Sequence, residues 1–224
     1  MEIKIIKNWP YKVTWNIPLD TQVITNWDQW EPVSYTPGKS FDLNDSYSLC
    51  RCWKSFNKPF CDWTHFDVSF DGSETADLQI MDEESIIFEW EELDLIDKPK
   101  YCVKARFCHP DHWVWRLTRE SWDLVSREKA LKESFLCPSW RLTHTAKDWK
   151  EIRNEYKEEI SLIQDPAAWV SWPIWVKWGI DIISSEWKRY AKKDKVTLCR
   201  CGHSWNKPLC DGSHMNSNWN DGTI

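Results

Sequence analysis

Apolar residues occur in short runs along the chain, and none of these runs approaches the ~18 residues that a membrane span needs. Residues 8–17 and 171–180 have the pattern of short strands, and each is followed farther along by a loop that bears cysteines and by a short helical turn. A helix-like stretch covers residues 119–133. The pattern predicts an α+β fold in which two small β-rich modules flank an α+β middle segment.

The chain contains an internal repeat. The segment CRCWKSFNKPFCDWTH begins at Cys50 and aligns without a gap with CRCGHSWNKPLCDGSH, which begins at Cys199, and ten of the sixteen positions are identical. Residues 8–17 (NWPYKVTWNI) likewise resemble residues 171–180 (SWPIWVKWGI). Repetition of this quality predicts two copies of one structural unit. We place the first module at 1–66, an acidic connector with the middle segment at 67–160, and the second module at 161–224.

Composition narrows the class of protein. Of 224 residues, 42% are hydrophobic, and the net charge is −6. Residues 66–101 hold twelve Asp and Glu against two Lys, which indicates a solvated acidic connector and no footprint for nucleic acid. Nine cysteines, six of them in two compact groups, suit metal ligation in a reducing compartment better than a disulfide framework. The start, MEIKIIKNWPY, lacks the apolar core of a signal peptide, so we expect a cytoplasmic protein without a membrane anchor.

The cysteines and histidines of the two copies share one spacing, C-x-C-x8-C-x3-H. Thiolates select zinc or iron–sulfur clusters, and imidazole suits either. Structural zinc sites usually space their ligands more widely than C-x-C, so this tighter pair indicates a loop curled round something larger than one ion. From spacing alone, an iron–sulfur cluster and zinc both remain open. The candidate ligands are Cys50, Cys52, Cys61 and His65 in the first copy, and Cys199, Cys201, Cys210 and His214 in the second.

Both segments resemble the CDGSH iron–sulfur family, whose motif is C-x-C-x2-[ST]-x3-P-x-C-D-G-[SAT]-H. The second copy matches every defined position, and the first departs only at Trp63, where the family has glycine. The resemblance implies two [2Fe–2S] clusters per chain, each held by three Cys and one His. It also implies that the C-x-C pair holds one iron and the third Cys with the His holds the other. We expect Ser55 and Ser204 to donate hydrogen bonds to sulfur, and Asp62 and Asp211 to cap the following helical turn.

Tryptophan is unusually abundant, with 19 residues against 6 glycines. In the aligned copies, three tryptophans stand opposite glycines: Trp53 with Gly202, Trp63 with Gly212, and Trp187 with Gly38. Glycine is favoured where the backbone needs positive φ or close approach, and tryptophan cannot supply either cheaply. We therefore interpret most tryptophans as UGA codons that the source organism reads as glycine.

The sixteen interpreted positions are Trp9, Trp15, Trp27, Trp30, Trp53, Trp63, Trp90, Trp113, Trp122, Trp140, Trp149, Trp169, Trp172, Trp178, Trp187 and Trp205. Trp115, Trp175 and Trp219 are interpreted as genuine, because they lie in strand-like or aromatic contexts. If this interpretation holds, Trp53 and Trp63 should have strained backbones or point into solvent. The alternative is a truly tryptophan-rich protein that stacks ligands.

Three further cysteines, Cys102, Cys108 and Cys137, lie between the repeats. The pattern C-x5-C, a helix-like stretch and then CPSW, which becomes CPSG with glycine restored, resembles the divergent mono-cluster 4Fe–4S ferredoxin domain. With three cysteines the site would hold a [3Fe–4S] cluster, or a [4Fe–4S] cluster with a fourth ligand that is not cysteine. Three buried cysteines in a degenerate domain are the alternative.

These features favour an electron-transfer or cluster-carrying protein rather than an enzyme, with a redox partner protein or a cluster acceptor as its partner. The alternatives are a cluster-bearing subunit of an oxidoreductase and a zinc-binding interaction module. Mitochondrial relatives in the CDGSH family pair two single-motif chains, so a chain with two motifs would imitate that dimer internally.

Overall fold

The computed structural model of the protein describes residues 1–28, 30–79, 85–110 and 112–222. Within these ranges the chain forms thirteen β-strands in three sheets, three α-helices and a short 3-10 turn, Pro99–Tyr101. No helix of the described residues has both the length and the apolar character needed to cross a membrane.

Four strands form the first sheet, in the spatial order β12 (Asp181–Ile183), β1 (Glu2–Ile5), β2 (Tyr11–Thr14) and β5 (Ser46–Leu49). Buried and half-buried positions alternate along β1 and β2, as expected for strands that turn one face to the core. Ile3, Ile5 and Val13 lie on that face and are fully buried.

Five strands form the second sheet, in the order β13 (Lys195–Leu198), β11 (Val170–Lys177), β10 (Ile160–Asp165), β3 (Leu19–Asn26) and β4 (Pro32–Ser40). Every residue of β10, β11 and β13 is buried, which is typical of strands covered on both faces. The edge strand β4 is exposed along its second half.

The two repeats exchange strands. β12 of the second repeat pairs in parallel with β1 of the first, with Asp181 opposite Glu2. In return, β3 of the first repeat pairs in parallel with β10 of the second, with Leu19 opposite Ile160. Leu19 and Ile160 belong to one apolar cluster that draws residues from both repeats. The repeats therefore form one interlocked body.

The middle segment forms an antiparallel sheet in the order β6 (Ile86–Glu89), β7 (Asp94–Asp97), β8 (Leu142–Thr145) and β9 (Glu151–Ile152). The helix expected over residues 119–133 is present as two helices, α1 (Val114–Arg119) and α2 (Leu124–Leu136). Asp123 starts the second helix, because its carboxylate accepts a hydrogen bond from the N–H of Ser126 at 2.9 Å. The likeness of this segment to a ferredoxin domain stays a prediction.

Strands predominate over the few helices of the described residues, which agrees with the expected β-rich modules at both ends, while the α+β description of the middle segment stays a prediction. The third helix, α3 (Ser213–Asn216), is a single turn after the last cysteine. The boundaries at 1–66, 67–160 and 161–224 stay predictions, although the exchanged strands show that the outer two segments share their sheets.

Candidate metal centres

The cysteines of each repeat lie on a loop that doubles back on the strand before it. In the first repeat, the N–H of Cys50 donates to the carbonyl of Pro59 at 2.9 Å, and the N–H of Cys61 donates to that of Ser48 at 2.9 Å. These bonds hold the C-x-C pair beside the third cysteine. The second repeat has the same two bonds, Cys199 to Pro208 at 2.8 Å and Cys210 to Thr197 at 2.9 Å.

The four expected ligands of each repeat come together as two pairs. We call Cys50, Cys52, Cys61 and His65 site 1, and Cys199, Cys201, Cys210 and His214 site 2. The sulfur atoms of each C-x-C pair are 3.7 Å apart. The third sulfur lies 3.3 Å from the histidine Nδ1 in site 1 and 3.4 Å from it in site 2.

These separations suit shared metal ions. Two thiolates bound ~2.3 Å from a tetrahedral metal lie about 3.8 Å apart, so each pair is spaced like two ligands of one metal. The donor set of each site is thus divided into two pairs, a division that fits a group with two metals.

The loops supply donors to the sulfur atoms. The N–H groups of Trp63 and Gly212 each lie 3.4 Å from the sulfur of the preceding cysteine ligand. Within each C-x-C pair one thiol donates to the other, which lowers the pKa of Cys52 to about 6 and of Cys199 to about 7. Cys52 is the second cysteine of its pair, whereas Cys199 is the first of its pair. The loss of the first proton is therefore a property of the pair rather than of one residue. Each pair readily provides the thiolate that metal ligation requires.

Ser55 and Ser204 interact with sulfur through the backbone and not through the side chain. The backbone N–H of Ser55 donates to Cys50 and that of Ser204 donates to Cys199. The hydroxyl of Ser55 donates to the carbonyl of Phe60 at 2.6 Å, and that of Ser204 donates to Leu209 at 2.7 Å. A hydroxyl has one hydrogen, so these side chains close the loop.

The expected caps differ as well. Asp211 accepts from the N–H of Ser213 at 3.0 Å and from that of Trp205 at 2.8 Å, but the N-cap of α3 is Gly212, with φ 83°. Asp62 makes the equivalent contacts in site 1, where Thr64 is the chief cause that lowers its pKa to about 2. Both carboxylates tie the third cysteine to the C-x-C loop.

The arginine inside each C-x-C pair is a functional residue that the spacing argument missed. Arg51 donates to the backbone carbonyls of Ile6, Trp9 and Gly72. The sequence did carry a signal for this residue, because both copies have arginine at this position. Arg200 donates to two carbonyls and, at 2.5 Å, to the buried carboxylate of Asp221. These side chains fix the loop from the core side.

A second missed residue crosses between the repeats. The hydroxyl of Tyr11, on β2 of the first repeat, donates to the carbonyl of Cys199 at 2.8 Å and is 3.1 Å from that of Pro208. The first repeat thus positions a ligand of the second site. Local sequence carries no signal for this contact, because the two residues are 188 positions apart.

The histidine rings of the two sites have different surroundings. Burial lowers the pKa of both histidines, that of His214 to about 3. His214 packs edge-on to Trp172, at 4.7 Å between ring centres. His65 lies among the rings of Trp9, Trp63 and Phe66. In both rings Nδ1 is the nitrogen that faces the site, since it lies 3.3–3.4 Å from the sulfur of the third cysteine. Nε2 is buried without a hydrogen-bond partner among the described residues.

The middle cysteines, Cys102, Cys108 and Cys137, also come together. We call them the thiol cluster, and they line one cavity with Arg141. Arg141 donates to the sulfur of Cys102 at 2.9 Å and forms an ion pair with Asp97. Burial raises the pKa of Cys108 to about 12. Arg141 acts against this rise, because its positive charge favours thiolates in the cavity.

Seven tryptophans have backbone angles in the left-handed region, and all seven belong to the sixteen positions interpreted as glycine. They are Trp15 (φ 74°), Trp53 (61°), Trp63 (75°), Trp149 (62°), Trp169 (53°), Trp178 (46°) and Trp187 (65°). Gly202 and Gly212 have φ of 78° and 83°, so both repeats use the same backbone there. The expected strain at Trp53 and Trp63 is confirmed. Trp140 and Trp172, from the same set, are instead buried.

Comparison with known proteins agrees with the two sites. The model of the family described as iron-binding zinc finger, CDGSH type, matches residues 8–66 and 172–215. No curated protein and no solved structure matches the chain. The two matched regions contain all the expected ligands of site 1 and site 2, and the family is described as iron-binding. Two regions of the chain, one towards each end, are therefore similar to a CDGSH-type iron-binding domain and repeat it in tandem.

Proposed function

We propose that the protein carries a [2Fe–2S] cluster at site 1 and another at site 2, and that it transfers electrons or delivers clusters. The observation that carries this proposal is the division of each site into two donor pairs, with 3.7 Å between the C-x-C sulfurs and 3.3–3.4 Å between the third cysteine and its histidine. A zinc interaction module needs four donors round one ion, and the pairs favour two metals instead.

The bound cluster supplies one-electron chemistry, and the residues of the chain set its conditions. The thiolates and the neutral Nδ1 of each histidine bind the irons, while loop N–H groups face the sulfur atoms. Cys61 is half-buried, so site 1 lies close to the surface where a redox partner protein or cluster acceptor would dock. The protein then acts as a carrier rather than an enzyme. A role as the cluster-bearing subunit of an oxidoreductase would require turnover with that partner.

Exchange of the histidine ligands tests the proposal. Cysteine in place of histidine adds an anionic ligand, which disfavours an added electron and removes the proton-sensitive imidazole. His65→Cys and His214→Cys should each lower the reduction potential of one cluster and let it survive a lower pH. Redox titration and visible absorption during acidification measure both effects. If potential and acid lability are both unchanged, the histidines are not ligands.

We also propose that the thiol cluster holds a third cluster, either [3Fe–4S] or [4Fe–4S]. The convergence of Cys102, Cys108 and Cys137 on one cavity beside Arg141 supports this. Purified protein should then contain more than four iron atoms per chain, the number that two [2Fe–2S] clusters supply. Alanine at all three cysteines should remove the excess. A content of four that this variant leaves unchanged would indicate a degenerate domain.

We propose further that the sixteen tryptophans are glycines in the native protein. A non-glycine residue with left-handed φ costs about 1–2 kcal/mol, so seven of them cost as much as the net stability of a typical domain. The gene should have UGA at Trp53, Trp63 and Trp187, and UGG at Trp115, Trp175 and Trp219. UGG at the first three, or a native mass with nineteen tryptophans, would refute the proposal.

A further inference from the structure

The ligand loops of site 1 and site 2 lie against each other. A Cβ atom at Gly202, next to Cys201 of site 2, would lie 3.5 Å from the carbonyl oxygen of Arg51, which stands between two ligands of site 1. The Arg51 side of this contact is a backbone atom, so the contact does not depend on a tryptophan side chain.

Site 2 touches the thiol cluster on another side. The segment 103–107 joins Cys102 to Cys108 and packs with Cys210 of site 2 in one apolar cluster. A Cβ atom at Gly212, two residues after Cys210, would lie 3.1 Å from the carbonyl oxygen of Cys102. This short segment therefore contacts site 2 and also lines the cavity of the thiol cluster.

Site 2 is also more enclosed than site 1. Cys210 is 2% exposed and His214 is 1% exposed, whereas Cys61 of site 1 is half-buried. The contacts described above link site 2 with each of the other two sites. A centre with this placement exchanges electrons with its neighbours inside the chain more readily than with an external protein.

We infer that site 2 is an internal relay between site 1 and the thiol cluster. This inference rests on the proposed function, since it requires a cluster at each of the three sites. If the residues of site 1, site 2 and the thiol cluster each hold a cluster, an electron from a one-electron donor protein would enter at site 1 and would reach the thiol cluster by way of site 2. A one-electron acceptor protein would withdraw the electron by the reverse order. No proton moves and no bond breaks in these steps.

Electron paramagnetic resonance of the protein reduced with dithionite tests this order. Reduced clusters that are close neighbours broaden or split each other's signals. The centre at site 2 should show two such interactions. Alanine at Cys50 and Cys52 should remove one of them, and alanine at Cys102, Cys108 and Cys137 should remove the other.

The decisive variant has alanine at Cys199, Cys201 and Cys210. It should leave the signals of site 1 and the thiol cluster narrow and independent. If this variant fails to fold, stepwise reduction of the unmodified protein gives the same information. Signals that are narrow when one electron is present should broaden as the neighbours are reduced.

Iron content distinguishes a failure of the proposed function from a failure of the relay alone. Protein without iron at site 1 and site 2 contradicts the proposed function itself. Iron at both sites with an empty thiol cluster, or three centres whose signals never interact, overturns the relay alone. Coupling between site 1 and the thiol cluster that survives the loss of site 2 would overturn it as well.

Discussion

Site 1 and site 2 have the same candidate ligands, closely similar pair distances and the same loop hydrogen bonds, yet their surroundings differ. The middle segment covers site 2, where Lys104 lies against Gly212 and segment 103–107 packs on Cys210. The rings round His65 form a thinner cover, because Trp63 and Phe66 are themselves 56% and 58% exposed. A duplicated motif has thus become one surface site and one interior site.

The arginines inside the two C-x-C pairs also differ, in the partners to which they donate hydrogen bonds. Arg51 satisfies three backbone carbonyls. Arg200 satisfies two, and it also neutralises Asp221, which is buried and accepts from Gln164. The interior site therefore depends on a buried charge pair, while the surface site depends on polar contacts with the backbone. The loss of one charge from a buried pair is the more damaging of the two changes.

The largest expected effect follows from this difference. Arg200→Met leaves the carboxylate of Asp221 buried without its cation, which should cost about 3–5 kcal/mol of unfolding free energy. Arg51→Met leaves carbonyls unsatisfied and should cost about 1–3 kcal/mol. Urea denaturation of each variant measures the loss. Lys188→Met, at the exposed pair with Glu186, is the control and should change stability by less than about 0.5 kcal/mol. Equal losses at Arg51 and Arg200 would contradict the distinction between the sites.

The next largest expected effect is a difference between site 1 and site 2 in their sensitivity to acid. The pKa of His214 is lowered to about 3 from 6.5, so the folded chain binds fewer protons here than the unfolded chain between these values. Its contribution to stability is complete above pH ~6.5 and is lost as the pH falls towards 3. The pKa of His65 is also lowered, beneath a thinner cover. Protons should therefore displace the ligand of site 1 first.

Visible absorption during slow acidification should then fall in two steps. His65→Cys should remove the step at higher pH, and His214→Cys should remove the step at lower pH. A single step that both variants shift together would show that the two histidines experience the same environment.

A contact across the repeats offers a finer comparison. Tyr11→Phe removes a hydroxyl that holds the carbonyls of Cys199 and Pro208, and it should cost about 1 kcal/mol. The reduction potential of site 2 should shift, while that of site 1 stays constant. Tyr47→Phe is the matched control, because its buried hydroxyl donates to Ile17 at 2.8 Å within the first repeat. It should lose similar stability without moving either potential, and a shift at site 1 in the Tyr11 variant would contradict the assignment.

Sequence alone predicted the ligand sets, the short strands and the repeat, because each has a local signal. The spacing C-x-C-x8-C-x3-H brings its donors together within one loop, so no distant contact is needed to find them. The left-handed backbone at Trp53 and Trp63 was also predictable, since the second copy has glycine at both positions.

The exchange of strands and the cross-repeat contact of Tyr11 had no such signal. Parallel pairing of β1 with β12 joins residues about 180 positions apart, and hydrophobic pattern does not specify which strand lies beside which. The sequence also did not show which group of Ser55 and Ser204 donates to sulfur. The backbone N–H groups do so, whereas each hydroxyl donates to a carbonyl that the loop places within reach.

The last comparison concerns the position after the aspartate that both loops share, which is Trp63 beside site 1 and Gly212 beside site 2. Trp63→Ala and Trp63→Gly remove the same ring contacts, so their difference in stability isolates the backbone. Glycine should be more stable than alanine by about 1 kcal/mol, because φ is 75° at this position. At Gly212 the change to alanine should cost more, since its Cβ would also lie 3.1 Å from the carbonyl oxygen of Cys102. Denaturation midpoints of the three variants and the parent chain give both differences. Alanine equal to glycine at position 63 would mean that the loop relaxes freely at site 1, whereas a larger penalty at position 212 alone would place the constraint in the middle segment that covers site 2.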